Sequence, residues 1–153
     1  MNIYMSEKFK IYFFPIEEPR MDCVCEAVQK GLKFLDGLYN KYKDVKDVSL
    51  YVWSKQDIPY YFKESFTPEA IKILTDGKTL VGVNLKIKLE SHETFSASSN
   101  VETILTAHPN KKMFDDISAS IAKGTVKTVV IINDEKKSEP WLTTWAPNLE
   151  KIE

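Results

Sequence analysis

Glu17 with Arg20, His108 with Asn110, and Asn133 with Asp134 are the residues of this sequence whose types and spacing could do chemistry together. Glu17 or Asp134 could move a proton, Arg20 could hold an anionic group, and His108 could carry a proton near neutral pH. His108 has a simpler alternative as a capped or solvated turn residue beside Pro109. Each pair directly follows a β-prone run. If the strands ending at Phe14, Trp53, Ala107 and Ile132 are parallel, these pairs share one edge, where ligands of open α/β sheets bind. The same edge would receive Glu18, Trp53, Ser54 and Gln56.

Aromatic residues add to this set. Tyr60, Tyr61 and Phe62, with Trp141 and Trp145, could wall a pocket for a planar ligand such as a nucleobase. Aromatic clusters are also enriched at protein interfaces, so these five residues could instead bury a contact with a second copy or another protein. A third reading places Trp141 and Trp145, at helical spacing, in the core.

The elements that must position these residues can be read from hydrophobic periodicity. Phe9–Phe14 reads as a buried strand stopped by Pro15. A long helix follows, with Asp22 as its cap and an apolar stripe of Cys25, Val28, Leu32, Leu35, Tyr39 and Tyr42. Val48–Trp53 is the second strand. Thr67-Pro68-Glu69 opens a short helix that Gly77 closes. Residues 81–89 alternate strictly between apolar and polar, which predicts a strand with one wet face and suggests an antiparallel part of the sheet. Residues 91–100 form a Ser-rich loop. Val101–Ala107 is a strand, Asn110 caps a helix ending at Gly124, and Thr125–Ile132 is a buried strand. Asn133-Asp134 makes the turn after it. Pro140 opens a last helix, and residues 148–153 read as a frayed tail.

The resulting order, β-α-β-α-β-β-α-β-α, predicts one α/β domain over residues 1–153, with a mixed sheet of about five strands flanked by helices. An α+β, ferredoxin-like split β-α-β arrangement, with helices on one face, is the alternative.

Several chemistries lack their residues. Gly77-Lys78-Thr79 resembles the end of a phosphate loop, but Lys72 stands where that motif needs glycine, and the element order is reversed. Cys23 and Cys25 are two apart on a helix, so they point in opposed directions and cannot share a disulfide or a metal. Cys25 belongs to the core stripe, and Cys23 could be a reactive thiol at a helix start. No zinc-type spacing involves His92 or His108, so neither metal nor cofactor is implied.

Lys plus Arg number 21 and Asp plus Glu 22, and both signs are spread along the chain, which argues against a nucleic-acid partner. No apolar run is long enough to span a membrane. The first residues lack a secretion signal and the cysteines are few, which predicts a cytoplasmic protein. Two functions remain. One is a non-catalytic module binding a small molecule or a protein, including a second copy of itself. The other is a small enzyme acting on a nucleotide-like or sugar-like metabolite by general acid/base chemistry.

Overall fold

The computed structural model describes residues 9–17, 20–40, 46–95 and 101–153. Glu18, Tyr42 and the part of the Ser-rich loop at 96–100 lie outside them. The strands are β1 (Lys10–Pro15), β2 (Lys46–Tyr51), β3 (Leu80–Val81), β4 (Leu85–Glu90), β5 (Thr103–Ala107), β6 (Thr128–Asn133) and β7 (Leu149–Lys151). The helices are α1 (Met21–Tyr39), α2 (Ile58–Phe62), α3 (Pro68–Thr75), α4 (Lys111–Ala122) and α5 (Glu135–Thr144). They form a mixed α/β fold around one sheet of order β3-β4-β2-β5-β6-β1-β7. Among the described residues no helix is long and apolar enough to cross a membrane.

The sheet has seven strands rather than about five, because the turn at 82–84 splits the alternating run and the expected tail supplies β7. All neighbouring pairs are parallel except β3 with β4. The alternation in β4 therefore has a cause other than strand direction. Leu85, Ile87 and Leu89 are buried and Lys86 and Lys88 exposed, because helical cover lies on one side of this near-edge strand only.

Helices cover both faces, which replaces the one-sided alternative. Cores on opposite sides of the sheet explain why β1, β5 and β6 read as nearly continuous apolar runs. On the first face, Val24, Val28 and Leu35 of α1 join Ile58 and Phe62 of α2 and Leu74 of α3 over Leu50, Leu105, Val130 and Ile132. On the second, Met113, Phe114 and Ile117 of α4 and Trp145 pack with Ile11, Phe13, Tyr51, Ile104 and Ile131. Connections running toward the β3 edge use the first face and those running toward β7 use the second, as a single crossover hand requires.

Gly31 fixes how closely α1 approaches the sheet. A Cβ there would lie 3.2 Å from Val130 and 3.3 Å from Leu105, so the absent side chain lets the helix settle onto the strands. The helix starts at Met21, with Arg20 at the capping position and no side-chain cap. Asp22, expected as the cap, instead accepts a hydrogen bond from the Cys23 N–H at 3.0 Å within the first turn, where an acid suits the helix dipole.

Candidate functional site

The sheet register decides which residues meet. Pro15 pairs with Asn133, Ala107 with Ile132, and Tyr51 with both Glu90 and Thr106. Continuing these ladders by one or two residues aligns His92, Trp53, His108, Asn133 and Pro15 in one row across the carboxyl edge. With about 4.8 Å between strands, the row is roughly 19 Å long. The helices that follow β2 and β5 leave over opposite faces, and so do those that follow β6 and β1. Such switch points open crevices in doubly wound sheets.

At the centre of the row His108 has φ 51°, the one non-glycine residue with positive φ among the described residues. This left-handed backbone is uncommon for a residue with a Cβ, and Pro109 follows it directly. It is held in place by neighbours. The His108 N–H donates to the Ile132 carbonyl at 2.9 Å, and the Asn133 side chain lies near enough to its ring to favour the charged imidazole. Asn133 is 2% exposed; its amide donates to Ser138 Oγ at 2.8 Å, and Ser138 Oγ donates to the Asp134 carbonyl at 2.9 Å. Burial, and then the Lys137 charge, hold the His108 imidazole below its ordinary pKa; Asn133 and the Asp134 carboxylate offset this in part. The Tyr61 ring lies 5.9 Å from the His108 ring, centre to centre.

Asn110 and Asp134 flank this centre as helix caps. Asn110 Oδ1 accepts from the Met113 N–H at 3.0 Å, and Asp134 Oδ1 accepts from the Lys137 N–H at 3.2 Å. Toward β4, Trp53 is stacked on His92 with ring centres 3.9 Å apart and planes 11° from parallel.

Glu17 and Arg20 belong to a different place. They sit at one end of a groove of about 560 Å³ at the end of β1, whose floor includes Phe14, Ile16 and Ile152. Its helical wall is Cys23, Glu26, Ala27, Lys30, Lys33 and Phe34, a stripe of α1 beside the buried one and about 16 Å long at 1.5 Å per residue. Arg20 contacts the Cys23 sulfur at 3.8 Å and Asp22 at 3.6 Å. Glu26 pairs with Lys30 at 3.7 Å, and Glu153 with Lys151 at 3.4 Å.

The five aromatic residues expected at an interface separate in the same way. Phe62 and Trp145 are buried in the chain's own cores, and Trp141 stacks on Phe114 at 4.0 Å. Residues 58–62 are helical rather than a loop, so Ile58 and Phe62, four apart, face inward together, while Tyr60 stays 60% exposed. Cys25 is fully buried, and its thiol donates to the Tyr60 carbonyl at 3.0 Å. Among the described residues no group of three or more His, Cys, Asp or Glu side chains could hold a metal.

Sequence reading missed His92 as the partner of Trp53, although both follow strand ends. It also missed the groove wall, whose signal is the second stripe at 23, 27, 30 and 34. The contribution of Ile152 had no local signal, since it depends on β7 joining β1.

The β1–α1 connection occupies the position where nucleotide-binding sheets cradle phosphate, but it carries Glu, Pro and Arg and no glycine. No protein-family model matches the sequence, and none of the curated proteins matches it. Among solved structures, the chain is similar to the large terminase of a thermophilic bacteriophage, with a TM-score of 0.51 and 8% sequence identity over 95% of this chain. That match takes in 40% of the terminase chain, and at this identity the likeness is one of fold alone.

Proposed function

We propose that this chain is a non-catalytic binding module whose ligand lies in the groove between α1 and the β1–β7 edge. One observation carries the reading: α1 leans over β5 and β6, so the first face of the sheet beside β7 has only a partial cover. The remaining space, about 560 Å³, falls within the roughly 300–1,000 Å³ of small-molecule sites. An apolar floor with charges along its rim suits an elongated ligand, apolar along its length and polar at its ends. The enzymatic alternative has less support, because the Asp134 carboxylate is engaged as a helix cap and Glu17 and Arg20 sit with the groove rather than in the His108 network.

Thermal shift with a panel of aliphatic and aromatic carboxylates, amines and alcohols tests this. A ligand at a hundred times its Kd should raise Tm by about 5–10 °C for a chain of this size. Ala27→Phe, which fills the groove, should remove the shift. If no compound gives a shift that Ala27→Phe abolishes, the groove is not a ligand site.

A second copy as partner is the other form of the binding reading. It is favoured by Val81 and Val83, 65% and 87% exposed at the β3 edge, and it predicts a mass that rises with concentration in light scattering.

A further inference from the structure

We infer that the exposed Trp53 ring just past the end of β2 is a second site, which takes one planar heteroaromatic ring, such as a nucleobase, stacked on it. This goes beyond the groove and stands on separate observations. Trp53 is large, apolar and 38% exposed, yet it is not loose. His92 covers one face of its indole in a parallel stack. The His92 N–H donates to the Trp53 carbonyl at 3.2 Å, and His92 Nδ1 also contacts that carbonyl. A ring fixed on one side, with area left in solvent, is a preorganised platform, because little rotamer freedom is lost when a second ring arrives.

The neighbours favour a heteroaromatic ring over an aliphatic or purely hydrocarbon one. His108 stands at the matching position on the adjacent strand, beside Asn133, and an imidazole nitrogen can donate to or accept from the edge of a base. Gln56, exposed in the turn Lys55–Asp57 just after Trp53, adds an amide with the same dual character. The stack accepts any base through its π-face, so the site should be tolerant of base identity.

Fluorescence of the full chain, excited selectively at tryptophan, tests the site with adenosine and cytidine as probes. The chain has three tryptophans, and Trp141 and Trp145 pack around Phe114, so a surface ligand should report through Trp53. Saturable quenching is expected, with affinity weakened roughly tenfold or more in Trp53→Leu and retained in part in Trp53→Tyr. NMR of the wild type should show the His92 ring protons shifting as nucleoside is added. The inference is overturned if quenching does not saturate, if Trp53→Leu is quenched equally, or if the His92 signals stay still. Ala27→Phe should leave this binding intact, so failure of the groove and failure of the platform are separate results.

Discussion

The two regions at the carboxyl edge are built in opposite ways. The groove beside α1 exists because helical cover runs out, and its shape is set by how close a helix can come to a sheet. The His108 centre exists because polar groups beside the imidazole are satisfied in a chain, from Asn133 to Ser138 to the Asp134 carbonyl, and its shape is set by hydrogen bonds. The first should yield to changes of volume and the second to changes of polarity. Residues that look alike on paper, such as Glu17 and Asp134, therefore have different prospects. One lines an open groove, and the other holds the first turn of α5.

The largest expected effect is on the volume side. Gly31→Leu forces a side chain into Val130 and Leu105 and should cost about 3 kcal/mol by overpacking. It should also change groove binding by lifting α1. Gly37, on the same helix with nothing near its Cβ position, is the control: Gly37→Ala should gain roughly 0.5–1 kcal/mol. Urea denaturation measures both.

On the polar side, Ser138→Ala leaves the buried Asn133 amide without its acceptor and should cost about 1–2 kcal/mol. It should also broaden the His108 ring signals in NMR while the groove is unaffected. Combining it with Gly31→Leu should give the sum of the single effects to within about 0.5 kcal/mol if the regions are independent. A larger coupling would break the comparison.

The smallest effect is the pH dependence of His108. Its folded pKa lies below the ordinary value of 6.5, so as pH falls below about 6.5 the unfolded chain takes up a proton that the folded chain resists. The stability present above that pH is lost on the acid side until the folded imidazole also protonates. His108→Asn, which tolerates the left-handed backbone, should show a smaller fall in Tm between pH 7.5 and pH 5.5 than the wild type.

Much of this architecture was legible in the chain. The parallel direction of β1, β2, β5 and β6 follows from apolar runs separated by helical stripes, and the caps Thr67 and Asn110 stand where their helices begin. Pro140 misled as a helix start, because α5 begins five residues earlier and carries it inside. The β7 strand was hidden, since three residues with two charges have no pattern of their own and become a strand only beside β1. The division of the edge into two regions was hidden for the same reason: it depends on where α1 leans, which no local spacing encodes.

The place of β1 has a consequence for how the molecule comes into being. It lies between β6 and β7, and Lys10 pairs with Thr128, 118 positions later (128 − 10). A ribosome adding about 5–20 residues per second needs roughly 6–24 s to cover that span. During that time Ile11, Phe13 and Phe14, all destined for the interior, have emerged without either neighbour. Assembly of the β6–β1–β7 side of the sheet is thus a late event in synthesis, and β1 must stay free of wrong contacts until β6 and β7 have been made.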